Sequence, residues 1–204
     1  MHIVISGNMG SGKSTLARML ANHYRWEPRM ENVIDNPYLS DYYKDIKRWS
    51  FALETFFLKE RFRDIIEINH SNNIIVQDRS IFEGVYIFAA NNHEMGNMSD
   101  RDFNTYMELF ESMMAIVRMP DLMIYLRASV PHLIKNIAKR GRDYEKSLPL
   151  QYLTNLNIRY NKFIDQTYLG RKIVIDVDEM DFEHNADDFA QIINKIDNTL
   201  FSIF

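Results

Sequence analysis

Short apolar segments alternate with longer amphipathic segments along this chain of 204 residues. The short segments are rich in β-branched residues, which is typical of buried parallel strands; they are residues 2–5, 74–76, 122–126 and 173–175. The longer segments have apolar residues at helical spacing; they are residues 13–23, 41–70, 101–118 and 189–200. This alternation predicts a doubly wound α/β fold, with a parallel sheet of about five strands between helices. We expect ligands to bind beyond the carboxyl ends of the strands.

Composition and charge narrow the class of protein. The chain is 46% hydrophobic and 25% charged, and it lacks cysteine, which excludes a thiol nucleophile and a disulfide framework. A net charge of −4 argues against a nucleic-acid partner. No apolar run approaches the ~20 residues of a membrane span, and a strand-like pattern begins at His2, so we expect no membrane partner and no leader peptide. With no repeat or linker, we expect one cytoplasmic domain over residues 1–204.

A glycine-rich segment joins the first strand to the first helix. It matches G-x-x-x-x-G-K-[ST] in full and continues into Thr15; its residues are Gly7, Asn8, Met9, Gly10, Ser11, Gly12, Lys13 and Ser14. Its glycines let successive backbone N–H groups point at phosphate oxygens at a helix N-terminus. Lys13 would bridge the β- and γ-phosphates, and the Ser14 hydroxyl would bind Mg²⁺. The segment therefore predicts a site for a nucleoside triphosphate.

A second motif suggests a GTP-dependent switch, but its context is wrong. Residues 194–197 read N-K-x-D, the guanine-binding box, yet they lie among apolar residues at helical spacing. No glycine of the chain has aspartate three residues before it, so the D-x-x-G element of a switch protein is absent. We interpret the box as a coincidence within a C-terminal helix.

Charged residues follow the later strands. Asp78 and Arg79 end the strand near residues 74–77, where a carboxylate can bind the magnesium hydration shell and an arginine can bind a phosphoryl group. The alternative is an ordinary capped helix start. Arg140 and Arg142 begin a polar stretch, and we expect residues 139–149 to form an arginine-rich lid over the γ-phosphate. The alternative is that Arg140 and Arg142 are ordinary cations at a helix C-terminus, where they suit the helix dipole.

Together these segments resemble the deoxyribonucleoside kinase family, and its bacterial deoxyadenosine/deoxyguanosine branch most. The segments that carry the resemblance are the glycine-rich loop, Glu31-Asn32-Val33, Asn36-Pro37-Tyr38, Tyr43 with Arg48-Trp49-Ser50-Phe51, Asp78-Arg79-Ser80, Tyr86-Ile87-Phe88, Tyr125-Leu126-Arg127 and Arg140-Gly141-Arg142. The resemblance implies a P-loop kinase fold, ATP and Mg²⁺ as cofactors, a deoxynucleoside as acceptor and a homodimer. The helix at 101–118 would suit such a dimer, although packing within one chain explains its apolar residues equally well.

The resemblance also implies roles for individual residues. Glu31 corresponds to the base that activates the 5′-hydroxyl group, and Arg79 beside it stabilises the developing charge. Tyr43 and Glu145 correspond to the pair that binds the 3′-hydroxyl group. Phe88 corresponds to the ring that stacks on the acceptor base, although its helical spacing also suits a core residue. Arg140 and Arg142 correspond to the lid arginines.

Two departures from the family concern the acceptor base. Glu54 stands where the family usually has glutamine, and Gly84 stands where purine and cytosine kinases often have aspartate. A carboxylate offers only acceptors, which suits the adjacent N1–H and N2–H donors of guanine, and Arg61 could donate to guanine O6. We therefore expect deoxyguanosine to be favoured over deoxyadenosine. The alternatives are a Glu54–Arg61 ion pair that contacts no base, and a deoxyadenosine or broad deoxynucleoside kinase.

The activity expected from these features is in-line phosphoryl transfer from ATP to a purine deoxynucleoside. A nucleoside monophosphate kinase would need further arginines for the acceptor phosphate, and the sequence offers no convincing set. A regulatory protein that binds nucleotide without turnover is the non-enzymatic alternative.

Overall fold

A central parallel sheet organises the molecule. In the computed structural model, which describes residues 1–31, 36–141 and 149–201, this sheet has five strands in the order β2-β3-β1-β4-β5. The strands are β1 (His2–Gly7), β2 (Glu27–Arg29), β3 (Ile75–Asp78), β4 (Leu122–Arg127) and β5 (Lys172–Asp176). All four pairings are parallel, so the carboxyl ends of the strands share one edge. The predicted α/β class is confirmed.

Helices cover both faces of the sheet. They are α1 (Lys13–Tyr24), α2 (Leu39–Lys44), α3 (Ile46–His70), α4 (Ile81–Glu83), α5 (Ala90–Glu94), α6 (Asp100–Met114), α7 (Val130–Arg140), α8 (Leu150–Lys162) and α9 (Ala186–Leu200). Two π-helical segments, Gly84–Ala89 and Phe163–Thr167, continue α4 and α8. Among the described helices, none combines the length and the apolar character that crossing a membrane requires.

Alternate side chains of β1 enter two different core layers, as the period of two in a strand requires. Ile3 and Ile5 pack with α1, α7 and α9, whereas Val4 packs with α3, α6 and α8. All three side chains are fully buried. The uniformly apolar pattern of β1 is therefore explained by helices on both faces.

Two parts of the architecture differ from the sequence-based expectation. β2 lay outside the predicted strands because it has only three residues, two of them charged, with Pro28 at its centre. Proline is tolerated there because β2 is an edge strand. The segment predicted as one helix over 41–70 is divided at Asp45, whose carboxylate accepts a hydrogen bond from the Arg48 backbone N–H and so begins α3.

The N-K-x-D tetrapeptide lies inside α9, as expected from its apolar neighbours. Ile193 and Ile196 are buried against the sheet, so the segment is part of the core. The interpretation of the box as a coincidence is consistent with this position.

Candidate functional site

The glycine-rich loop (residues 7–14, called the P-loop below) has the backbone that its sequence predicts. Gly10 and Gly12 have φ angles of 83° and 93°, in the left-handed region that favours glycine. A Cβ atom on Gly10 would come within 2.7 Å of the Leu133 carbonyl oxygen, and one on Gly12 within 2.8 Å of the Phe182 ring. Side chains at these two positions would therefore push the loop away from α7 and from Phe182.

Asparagines join the P-loop to the two helices that flank residues 142–148. The Asn136 side chain on α7 donates to the Gly10 carbonyl oxygen over 2.8 Å. The Asn8 side chain donates to the Leu153 carbonyl oxygen on α8 over 3.2 Å, and its own oxygen accepts from the Met9 N–H over 2.8 Å. These bonds fix the P-loop between α7 and α8.

Lys13 is buried at the base of the P-loop. Its ammonium group donates to the Asn8 carbonyl oxygen over 2.9 Å. Burial and the nearby charge of Arg79 together lower the pKa of Lys13 to about 8, although Asp78 and other carboxylates oppose the change. A bound phosphate anion would therefore stabilise the charged form of Lys13.

Ser14 and Asp78 meet at the carboxyl edge of the sheet, where a metal bound to a nucleotide is expected. The Ser14 hydroxyl donates to Asp78 Oδ2. The other carboxylate oxygen, Oδ1, is buried and lacks a hydrogen-bond partner among the described residues. Hydroxyl and carboxylate oxygens are suitable Mg²⁺ ligands, so this pair fits a magnesium ion that also binds phosphate.

Arg79 follows β3 with an unusual backbone conformation. Its φ angle is 73°, which is uncommon for a residue other than glycine, and its N–H donates to the Ile5 carbonyl oxygen over 3.0 Å. The next turn is held by Glu83, whose carboxylate accepts from the Ser80 N–H over 2.6 Å and from the Tyr160 hydroxyl over 3.1 Å. Glu83 is fully buried, so its three polar contacts with Ser80 and Tyr160 fix the turn that presents Arg79.

Glu31 lies between two arginines. Its carboxylate is 2.6 Å from Arg61 Nη2 and 3.3 Å from Arg79 Nε, and 19% of its side chain is exposed. Burial alone would raise the pKa of Glu31, but the charges of Arg79 and Arg61 outweigh it and lower the pKa to about 2. Glu31 is therefore a carboxylate throughout the physiological pH range.

The unpredicted strand β2 explains how Glu31 reaches this position. Arg29 of β2 is in register with Gln77 of β3, so the chain leaving β2 passes beside Asp78 and Arg79. A cavity of about 210 Å³ lies there, and Glu31, Arg61, Asp78 and Arg79 are among the residues that line it. The predicted base, the predicted metal ligand and two predicted arginines therefore border one space.

Glu54 lies in the same region but contacts a residue that the sequence did not single out. It is only 4% exposed, and its Oε1 atom accepts a hydrogen bond of 3.0 Å from the Asn92 side chain. Burial raises the pKa of Glu54 to about 7, while Arg61, Arg79 and the bond from Asn92 oppose the rise. Arg61 pairs with Glu31, so the ion pair between Glu54 and Arg61 that we considered as an alternative does not form in the described structure.

Two side chains predicted to bind the acceptor, Phe88 and Tyr43, make ring contacts in the described structure. The Arg79 guanidinium lies 4.6 Å from the centroid of the Phe88 ring, a cation–π contact. Tyr43 is half-buried and its ring is 5.5 Å from that of Tyr42. Phe88 therefore contacts Arg79 in the candidate site as well as Tyr160 in the core.

Most of the segment predicted to form a lid, residues 139–149, lies outside the described residues. Arg140 is exposed and ends α7, at the position expected for the start of the lid. Arg142 and Glu145, predicted as a lid arginine and as a 3′-hydroxyl ligand, belong to residues 142–148 and lie outside the described residues. Their roles remain predictions.

The five-stranded parallel sheet, the P-loop at the end of β1 and the carboxylate and arginine at the end of β3 define a nucleotide-binding kinase of the P-loop class. Comparison with protein families is more specific, because residues 3–202 match the model of the deoxynucleoside kinases. The chain belongs to the deoxynucleoside kinase family.

Individual relatives support this assignment. The chain is 34% identical over 196 residues to a deoxyadenosine/deoxycytidine kinase of Bacillus subtilis, covering 95% of this chain and 90% of that protein. It is 35% identical over 207 residues to a deoxyguanosine kinase of Lactobacillus johnsonii, with coverage of 95% and 90%. A deoxyadenosine kinase from M. mycoides, solved with bound dATP, superposes with a TM-score of 0.85 at 31% identity, covering 97% of this chain and all of that one. The expected enzyme class is confirmed, and the relatives differ in the base that their names state.

Proposed function

We propose that this protein transfers the γ-phosphoryl group of ATP to the 5′-hydroxyl group of a purine deoxyribonucleoside, and that it favours deoxyguanosine over deoxyadenosine. The observation that carries the proposal is the position of Glu31. Its carboxylate is partly buried between Arg61 and Arg79, and it shares a cavity with Asp78, which accepts a hydrogen bond from the P-loop residue Ser14. An acceptor hydroxyl bound by Glu31 would thus lie close to the γ-phosphate.

The reaction is an in-line displacement. The 5′-oxygen forms a bond to the γ-phosphorus, the bond from that phosphorus to the β,γ-bridging oxygen breaks, and ADP leaves. Glu31 orients the hydroxyl group and accepts its proton. Because the transition state of phosphoryl transfer is loose, the proton can leave late, and a carboxylate with a low pKa suffices. Lys13 and Arg79 stabilise the negative charge on the transferring group.

Ser14 and Asp78 would hold Mg²⁺ with the nucleotide. When bound, the ion would supply positive charge that offsets the negative charge on the phosphates. The backbone amides from Asn8 to Thr15, in the P-loop and the first turn of α1, would hold the phosphates of ATP in the same site. Arg140 and Arg142 would add charge from the lid and help to exclude water.

The deoxyribose would be bound by Tyr43 and Glu145, and its base by Phe88, Glu54 and Arg61. Ionised Glu54 offers two acceptor oxygens to the N1–H and N2–H groups of guanine. The Arg61 Nη1 atom is buried without a hydrogen-bond partner among the described residues, so it is free to donate to guanine O6. These two features support the preference for guanine.

The test is to incubate the purified protein with ATP, MgCl₂ and each of the four deoxynucleosides, and to identify the products by mass spectrometry. We expect a 5′-monophosphate, with the highest kcat/KM for deoxyguanosine at pH 8. Glu31→Gln at comparable enzyme concentration should form it at least about 100-fold more slowly. Absence of any monophosphate would refute the kinase assignment. A higher kcat/KM for deoxyadenosine at pH 8 would refute only the base preference.

We also propose a homodimer in which α6 packs against a second copy. Tyr106 and Phe110 of this helix point into the core, while Leu109 is 39% exposed and Ile116, just beyond the helix, is 70% exposed. Light scattering after gel filtration should give twice the monomer mass of 24.3 kDa. Leu109→Asp combined with Ile116→Asp should give the monomer mass; an unchanged mass would exclude this face.

A further inference from the structure

Asn92 is a fully buried polar residue that the expected site did not include. It lies on α5, 38 residues from Glu54 along the chain, yet its Nδ2 atom donates to Glu54 Oε1 over 3.0 Å. Its backbone carbonyl oxygen accepts from the N–H groups of Asn97 and Met98 over 2.8 and 3.1 Å. The main chain of Asn92 is therefore anchored independently of its side chain.

Tyr42 determines which way the Asn92 amide faces. The Tyr42 hydroxyl donates to Asn92 Oδ1 over 3.2 Å, so the amide nitrogen faces Glu54. The donors therefore run in one direction, from Tyr42 through Asn92 to the Glu54 carboxylate.

We propose that Asn92 is a positioning residue for base selection, because its amide, oriented by Tyr42, holds the Glu54 carboxylate in the acceptor-only form that favours guanine over adenine. This inference rests on the proposed function, in which Glu54 contacts the base. It adds that the base preference set by Glu54 depends on Asn92, which bonds the Glu54 carboxylate and is not itself proposed to contact the base.

The ionised and protonated forms of Glu54 are close enough in free energy for one hydrogen bond to shift the equilibrium between them. Arg61 on the same helix and Arg79 after β3 favour the ionised form, and Glu31 after β2 opposes it. Three neutral phenols also face the carboxylate, Tyr42 from α2, Tyr106 from α6 and Tyr152 from α8. Burial raises the pKa of Glu54 to about 7, and the bond from Asn92 works against that rise.

Loss of the Asn92 donor would change the hydrogen-bonding character of Glu54. A protonated carboxyl group has one donor and one free acceptor, the same pattern as a glutamine amide. That pattern complements N1 and N6 of adenine and leaves one guanine donor without a partner. The base preference should therefore move from guanine towards adenine when Asn92 is replaced.

The experiment measures kcat/KM for deoxyguanosine and deoxyadenosine from pH 6 to pH 9. In the wild type the ratio of the two values should rise with pH. In Asn92→Leu the ratio at pH 7.5 should fall about tenfold or more, the effect expected from losing a hydrogen bond to a charged group. Tyr42→Phe keeps the ring but removes the donor to Asn92, so it should lower the ratio in the same direction, and it serves if Asn92→Leu does not fold.

Asn91 provides the matched control. It is a buried asparagine on the same helix, but its amide donates to the Met95 sulfur over 3.3 Å. Asn91→Leu should leave the ratio within about twofold of the wild type, since it does not contact Glu54. In a Glu54→Gln background, Asn92→Leu should also leave the ratio within about twofold, because the coupling requires the carboxylate.

A substrate-free measurement separates this inference from the proposed function. Carbon-13 NMR of labelled glutamate carboxyl groups, with the Glu54 signal assigned from Glu54→Gln, should show a higher titration midpoint in Asn92→Leu and Tyr42→Phe than in the wild type and Asn91→Leu. An unchanged midpoint, or equal ratios in Asn92→Leu and Asn91→Leu, would overturn the inference. A wild type that phosphorylates no purine deoxynucleoside would instead refute the proposed function.

Discussion

The Arg61 guanidinium occupies the space that a side chain at residue 84 would need. A Cβ atom on Gly84 would lie 2.7 Å from Arg61 Nη1 and 3.1 Å from the Tyr106 hydroxyl oxygen. From this place Arg61 reaches Glu31 over 2.6 Å. Because Gly84 has no side chain, Arg61 has room to form its ion pair with Glu31, the predicted base for the acceptor hydroxyl group.

Gly84→Asp should place a carboxylate against Arg61, whose flexible end can shift to make room. Gly84→Asn has the same size but no charge, so it should be less stable than Gly84→Asp by about 2 kcal/mol, the value of a hydrogen bond to a charged group. Urea denaturation at pH 7.5 measures the difference. It should vanish in an Arg61→Met background; if it persists there, Arg61 is not the partner of the new carboxylate.

Glu54→Gln should change how the free energy of unfolding depends on pH. The pKa of Glu54 is about 7 in the native state against an ordinary value of 4.5, so the native state binds more protons than the unfolded state between these values. The free energy of unfolding therefore falls as pH rises from 4.5 to 7, by about 3 kcal/mol, and stays low above pH 7. The substitution Glu54→Gln should remove this pH-dependent fall in the free energy of unfolding.

Denaturation at pH 5 and pH 8 tests this expectation. Relative to the wild type, Glu54→Gln should gain stability at pH 8 compared with pH 5. Glu108→Gln, an exposed glutamate of α6, serves as the control and should show no such gain. A Glu54→Gln profile parallel to that of the wild type would show that the carboxyl group is ionised in both states.

ATP affinity should weaken as pH rises through about 8. Lys13 loses its proton near that pH in the free protein, whereas bound phosphates favour the charged form and raise its pKa. Binding above pH 8 then requires proton uptake, and Kd should be up to about tenfold higher at pH 9 than at pH 7.5. Calorimetry in buffers of different ionisation enthalpy detects the proton; Lys13→Arg should bind with little pH dependence, because arginine stays charged.

Glu31→Gln should strongly reduce turnover while the protein still binds ATP. Loss of a general base lowers kcat by a factor of about 100 to 10,000, and Kd for ATP should change less than about threefold because the phosphates lie on the P-loop. With a pKa of about 2, Glu31 should contribute no acid limb to the wild-type kcat profile between pH 5 and pH 9. Rapid-quench measurements of the chemical step check the loss of kcat and the absence of an acid limb. Full activity of Glu31→Gln would exclude the role of Glu31 as base.

The P-loop and the strand-end aspartate could be predicted because their signals are local. Gly10, Gly12 and Lys13 are close in sequence, and their spacing specifies the turn. Strand β2 could not be predicted, because three residues with a central proline carry no periodicity. The structure shows that this strand directs the chain to Glu31, whose importance the sequence indicated only through family resemblance.

The contacts of Glu54 could not be predicted from the sequence for a different reason. Its partner Asn92 is 38 residues away, and a buried asparagine has the same sequence signature as an exposed one. Glu83 was missed likewise, although its spacing from Ser80 matches a capping box. That signal could have identified Glu83 as a structural carboxylate beside Arg79.

The asparagine bonds that tie the P-loop to α7 and α8 constrain how this enzyme can change during evolution. Since Asn136 and Asn8 hold both helices against the P-loop, an insertion or deletion within either helix would move the loop itself. Changes of length between residues 141 and 149 leave both bonds intact. We therefore expect differences in chain length among homologues in this region to be confined to that interval.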